Sequence, residues 1–272
     1  MSGFADKLRE RRFPASLEIT PPQKPLPEVL LRRARLLGSA ADAVNVVQRP
    51  GRVSSIEASG QLKRAGIEPV WHLVNRGRTR DSIASDIALA HETGIQLVVC
   101  LRGDHVASRV ADSPRIREVV AMVRDAIPSA LIGTTMNQYG PRDRVLANLI
   151  PKLEAGADFV LTQPVLDRGP FDSLAGEVLS RAPDAAIMPM VMPVLSIDDA
   201  LRLEERLGVA LPREQRDRLL ARGEAAGWET FGETLAGLRS GGLAHAVAVM
   251  TLMADPSDPV ATRVASLLRR HT

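Results

Sequence analysis

Short apolar runs and amphipathic stretches take turns along the whole chain, and the pattern predicts strands alternating with helices. Strands are expected at residues 15–20, 42–47, 69–74, 96–101, 130–134, 158–163, 186–191 and 246–252. Leu97-Val-Val-Cys-Leu101 and Phe159-Val-Leu161 are unbroken apolar runs, as parallel strands covered on both faces require. Between the strands, apolar residues recur at helical spacing in 26–37, 54–65, 80–93, 115–126 and 144–155. In the last of these, Val145, Leu146, Leu149, Ile150 and Leu153 share one face. Gly94, Gly156 and Gly208 stand where helices should end. Residues 198–242 are too many for one crossover and are expected to hold two or three helices before the last strand. The pattern suits a single (β/α)8 TIM barrel over residues 1–272, one α/β domain with extra helices before its last strand. A doubly wound open sheet would give similar local patterns.

The 272 residues, 45% of them apolar, are enough for one large core. Basic and acidic residues nearly cancel, 35 against 32, and no basic block resembles a nucleic-acid arm. No stretch approaches the ~20 apolar residues of a membrane helix, and the charged start lacks a secretory signal. A cytoplasmic protein is expected, without nucleic-acid or membrane partners. Cys100, the one cysteine, lies in an apolar run and reads as a buried thiol. No HxH or HxxxH spacing announces a metal site, no GxGxxG opens a helix after the first strand, and no GxSxG is present.

In an α/β barrel the chemistry sits at the C-terminal ends of the strands and in the loops after them. Polar residues interrupt the strands at those positions. Glu18 closes the first strand, in Leu17-Glu-Ile-Thr-Pro-Pro22. Gln48 ends the second, His72 lies near the end of the third, Arg102-Gly-Asp104 follows the fourth, and Gln163 ends the sixth. A carboxylate inside an apolar barrel must be paired or used. Partial burial would raise the Glu18 pKa and suit it to donate a proton near neutrality; a salt bridge to a neighbouring arginine is the alternative. His72 could equally be a core histidine, Asp104 a cap, and Gln163 an ordinary strand-end amide. The loops Gln48-Arg-Pro-Gly-Arg52, Asn75-Arg-Gly-Arg-Thr-Arg80 and Leu101-Arg-Gly-Asp104 join glycine to arginine, a combination suited to gripping an anionic ligand.

These residues resemble the methylenetetrahydrofolate reductase family over most of the chain. Leu17-Glu-Ile-Thr-Pro-Pro22 is similar to the family's first-strand glutamate and its prolines. Trp71-His-Leu73 is similar to its Pro-His-Leu, and Leu101-Arg-Gly-Asp104 to its Leu-(Arg/Thr)-Gly-Asp. Glu154-Ala-Gly-Ala-Asp-Phe-Val-Leu-Thr-Gln163 and Met188-Pro-Met-Val-Met-Pro193 also have counterparts there, in the same order. The resemblance implies reduction of 5,10-methylenetetrahydrofolate to 5-methyltetrahydrofolate by NADH or NADPH, usually through FAD, with a reduced folate as the small-molecule partner. It makes Glu18 the general acid and sets Asp104 beside flavin and pterin. Gln163 would bind folate and Gln48 would join the substrate site. His72, Arg102, Gly103, Asn148 and Lys152 would contact the flavin or its phosphates. A homo-oligomer is compatible with it.

The chain departs from the family at three places. Val47-Gln48 stands where Thr-Tyr is usual, Pro164-Val-Leu166 replaces aromatics, and Met253-Ala254 replaces Asn-Arg after the last strand. With aromatics only 3% of the chain, few rings remain to stack on a flavin. Two alternatives therefore stay open: direct hydride transfer from NADH without flavin, and a non-catalytic binding subunit of folate or corrinoid metabolism on the same fold.

Overall fold

All eight expected strands form, and they close into a cylinder. The structure, a computed structural model, describes residues 3–103, 110, 112–251 and 258–271. β1 (Ala15–Ile19), β2 (Ala43–Val46), β3 (Pro69–Val74), β4 (Leu97–Leu101), β5 (Leu131–Met136), β6 (Phe159–Pro164), β7 (Ala186–Val191) and β8 (Val247–Val249) are parallel and pair in chain order. β8 returns to β1 through Ala15↔Val247 and Leu17↔Val249, so the fold is a (β/α)8 TIM barrel and not an open sheet. The last strand is shorter than the expected 246–252, since its ladder to β1 and β7 ends at Val249. Residues 252–257 lie outside the described set.

The helices follow their start signals. Ser54 Oγ accepts from Glu57 N at the head of α3 (Ser55–Arg64), and Thr79 Oγ1 from Ser82 N at the head of α4 (Arg80–Glu92). Before them, α2 (Pro27–Ala34) stops short of the expected residue 37 and passes into a 3-10 turn at Gly38–Ala40. α5 (Ile116–Ala126) and α6 (Arg142–Glu154) match expectation. The long segment after β7 holds three helices: α8 (Ile197–Leu207), α9 (Arg213–Arg222) and α10 (Glu224–Ser240). α8 ends on Gly208, whose φ of 66° is the left-handed cap expected there. Three further helices are α1 (Phe4–Arg9), α7 (Arg168–Arg181) and α11 (Asp258–His271). The sequence pattern did not announce them: α1 carries only two buried apolar residues in a charged run, and α7 opens on Arg168-Gly-Pro.

Alternate strand residues point inward. Val70, Leu97, Val99, Leu131, Phe159, Leu161, Ala186, Met188, Ala246 and Ala248 form one interior cluster, and Phe4 and Leu8 of α1 join it from the base. Phe159 on β6 lies against its neighbour β5, where its register partner Gly133 makes room. A Cβ at Gly133 would lie 2.4 Å from Phe159 Cζ. The base is therefore packed, and ligand space is left to the opposite end. Cys100 faces outward under the helices, fully buried, and burial pushes its thiol up to about 12. Among the described residues no helix is long and apolar enough to cross a membrane.

Candidate active site

A cavity of about 830 Å³ opens at the C-terminal ends of the strands. Glu18 lies in its wall, and Arg49, Arg76, Arg78 and Arg102 line it from the loops after β2, β3 and β4. Glu18 and the arginine rim thus share one space. Strand geometry explains why: Ser16 and Glu18 are two apart on β1, so when Ser16 faces the interior Glu18 does too, one layer nearer the mouth.

Burial raises the Glu18 carboxyl from 4.5 to about 7, against the opposing pull of Arg49 and Arg206. Among the described residues no ion pair reaches it, so the salt-bridge alternative is not what the fold builds. His72 is 5% exposed, and burial together with the Arg49 charge pushes it down to about 4. It is a neutral imidazole whose buried Nε2 has no partner among the described residues. Gln48 is half committed: its Oε1 accepts from Ser55 N at 2.8 Å, at the start of α3, which leaves its amide N–H groups for the cavity. The backbone of Gln163 is gripped on both sides by Gln138, whose Nε2 donates to Gln163 O at 2.9 Å and whose Oε1 accepts from Gln163 N at 3.1 Å. The Gln163 side chain stays available.

The rim is braced at Gly103. Its φ of +79° is left-handed, and a Cβ there would come within 2.6 Å of Val74 Cγ1. Arg76 Nη1 donates to Gly103 O at 3.2 Å, tying the β3 and β4 loops together. Arg78 is paired with Asp86 at 2.8 Å and with Ser82, so its charge is partly spent on α4.

Of the residues named from sequence, Glu18, Gln48, His72, Arg102, Gly103 and Gln163 meet in this cavity. Asp104 lies outside the described residues. Asn148 and Lys152 do not join. α6 runs back toward the base, as a helix after a barrel strand must, and Asn148 is exposed on it. Lys152 sits in its last turn, buried, with burial lowering its amine pKa. Arg206 and Leu207 escaped the sequence reading. They bring the end of α8 over the mouth, where Leu207 lines the cavity and Arg206 acts on Glu18. The length of the segment before β8 signalled extra helices but not where they pack.

The rim arginines suit a phosphate-bearing ligand, and Gly103 lets backbone approach one. The remaining lining does not suit a resident FAD. Two tryptophans, one tyrosine and five phenylalanines are all the aromatic residues of the chain, and none lines the cavity. Phe4 and Phe159 fill the base, and Phe13, Trp71, Phe171, Trp228 and Phe231 belong to the outer core. The Tyr139 hydroxyl donates to Pro164 O at 2.8 Å. Among the described residues an isoalloxazine would rest on aliphatic and thioether side chains such as Val47, Val74, Leu101, Leu161, Met190, Leu207 and Met250, without Asn148 or Lys152 for its phosphates.

A family profile described as methylenetetrahydrofolate reductase matches residues 4–236. Methylenetetrahydrofolate reductase 1 of Schizosaccharomyces pombe is 26% identical over 184 residues, 63% of this chain and 29% of that one. 5,10-Methylenetetrahydrofolate reductase of Salmonella typhimurium is 24% identical over 157 residues, 56% of this chain and 53% of that one. The chain thus spans about a third to a half of the length of these curated relatives. Among solved structures, a Clostridium thermocellum protein that binds two copies of 5-methyl-5,6,7,8-tetrahydrofolic acid superposes with a TM-score of 0.71 at 15% identity, covering 99% of this chain and 98% of that one. The coenzyme F420-dependent tetrahydromethanopterin reductase of Methanopyrus kandleri superposes with a TM-score of 0.62 at 12% identity, covering 95% and 99%.

Proposed function

Because the chain belongs to the methylenetetrahydrofolate reductase family, we propose that it reduces 5,10-methylenetetrahydrofolate to 5-methyltetrahydrofolate, taking hydride directly from a reduced nicotinamide dinucleotide. One observation carries this reading: Glu18, in the cavity wall at the end of β1, holds its proton to about pH 7 beneath an arginine rim.

The chemistry balances with these groups. Glu18 gives its proton to the folate nitrogen N10 as the bond from N10 to the bridging methylene breaks, leaving an iminium ion at N5. The carboxylate just formed stabilises that cation at short range in a water-poor wall. Hydride from the dinucleotide then adds to the methylene carbon, giving the methyl group and an oxidised nicotinamide. Solvent returns a proton to Glu18. Arg49 and Arg102 hold the dinucleotide phosphates or the folate carboxylates, and Gln163 offers both donor and acceptor to the pterin. By the family resemblance, Asp104 would add a second negative charge beside the cation. The folate-binding Clostridium protein and the Methanopyrus pterin reductase, both on this fold, support a reduced pterin in the cavity. The aliphatic lining and the positions of Asn148 and Lys152 favour the direct route over FAD.

Purified protein is expected to show no flavin absorbance yet to oxidise NADH or NADPH when methylenetetrahydrofolate is added. A flavin spectrum would overturn the direct route. Intact folate binding without nicotinamide oxidation would support the non-catalytic binding subunit instead.

The pH dependence follows from the acid. Since the folded carboxyl titrates at about 7, the competent neutral form dominates below that value. Above it, kcat/KM, which reports the free enzyme, is expected to fall about tenfold per pH unit. A rate that instead rises through pH 7–9 would mean that Glu18 works as a base.

A further inference from the structure

Asn45 is a polar residue of the barrel interior that the chemistry above leaves unused. It is fully buried on β2, in register with Glu18 on β1 and with Val70 on β3. Register partners in a parallel pair point to the same face, on strands about 4.8 Å apart, so Asn45 and Glu18 stand side by side inside the barrel. Asn45 Nδ2 donates to Ser16 Oγ at 2.7 Å, and the Ser16 hydroxyl turns toward Met188 Sδ at 3.9 Å. These contacts commit the nitrogen end of the amide. Its Oδ1 is left buried without a donor among the described residues, and an orphaned buried acceptor calls for an explanation.

Few inward neighbours could supply that donor. Ala43, Val47 and Val70 are apolar, and Ser16 is already engaged with the other end of the amide. His72 stands two residues beyond Val70 on β3. Glu18 is the register partner itself. An ionised Glu18 would set a second acceptor beside Oδ1, whereas a neutral Glu18 carries the proton that Oδ1 lacks.

We propose that Asn45 is the positioning residue of the acid: its amide oxygen accepts the proton of the neutral Glu18 carboxyl and holds it at the cavity wall. This inference deepens the reading of Glu18 as proton donor and rests on it. A hydrogen bond to the neutral form opposes ionisation, and so counters Arg49 from the β2 loop and Arg206 from α8, the cations that act on the same carboxyl. His72 on β3 is neutral, while Arg76, Arg78, Asp86 and Arg102 line the wider cavity. Ser16 acts at one remove, by fixing which end of the amide Glu18 meets.

The test titrates Glu18 in substrate-free protein, through the infrared carbonyl stretch of its neutral acid, identified by its loss in Glu18→Gln. In Asn45→Ala the midpoint is expected to fall by about one pH unit, a tenfold change in ionisation. In Asn45→Asp, a near-isostere, two carboxyls share the site and the upper midpoint of the pair rises above the parent value. An unmoved midpoint in Asn45→Ala, or in Asn45→Asp should the alanine variant not fold, overturns the assignment. The readout needs no turnover, so the two readings can fail separately. Midpoints that move as expected in a protein that oxidises no nicotinamide sink the reductase reading alone. A fixed midpoint in an active enzyme sinks the role of Asn45 alone.

Discussion

Glu18→Gln is expected to lower the rate of methylenetetrahydrofolate reduction by about 10²–10⁴-fold while leaving the barrel folded. The amide keeps the shape of the side chain and removes only its proton. The same change should stabilise the protein at alkaline pH. The folded carboxyl titrates at about 7 against an ordinary value of 4.5, so the folded state holds a proton that the unfolded chain has released between those values. Its contribution is therefore fully present below 4.5 and is lost as pH rises through 7. That gap is worth about 3 kcal/mol, less to the extent that cavity water screens the charge. Glutamine carries no such dependence. The variant should melt above the parent at pH 8 and close to it near pH 5, with steady-state rates measured alongside. Full activity in the variant, or collapse of its barrel, would remove Glu18 from its assigned role.

Gly227→Ala should produce a large loss of stability. In most helices this change adds about 1 kcal/mol, because alanine has less freedom to lose. Here α10 lies against the segment leaving β7, and a Cβ at position 227 would stand 2.2 Å from Val194 O and 3.0 Å from Leu195 Cα. Both obstacles are backbone, so no side chain can swing aside. Overpacking of this kind costs up to about 3 kcal/mol, sometimes more, and outweighs the helical gain. A net loss near 2 kcal/mol would lower Tm by roughly 4–8 °C. The displaced segment leads into α8, so KM should rise as well. A variant that melts at or above the parent temperature would show that the segment yields freely.

The barrel was legible because its strands are nearly pure apolar runs and most are followed by a stretch with apolar residues at helical spacing. Parallel strands buried on both faces leave little else to read, and the boundaries of β1 to β7 fall within two residues of expectation. β8 is too short for its own pattern to fix its end. Glu18, His72, Arg102 and Gln163 were legible because polar residues at the ends of such strands are out of place. Asn148 and Lys152 came only by resemblance, and the direction of α6 carries them away from the cavity. Arg206 was hidden for another reason. It is one of many surface-type arginines on an amphipathic helix, and only tertiary packing decides that α8 ends over Glu18. Asn45 lies inside a strand of valines, where it reads as a blemish until its register with Glu18 is known.

The helix that closes the base has a bearing on how the molecule is made. α1 leaves the ribosome ahead of every strand, yet the interior cluster that Phe4 and Leu8 join also includes Ala246 and Ala248, more than two hundred residues later. The plug cannot seat until almost everything else has been synthesised. Such distant pairing is slow to form, and until then two large apolar side chains wait in a run of charged neighbours, among them Asp6, Lys7, Arg9 and Glu10.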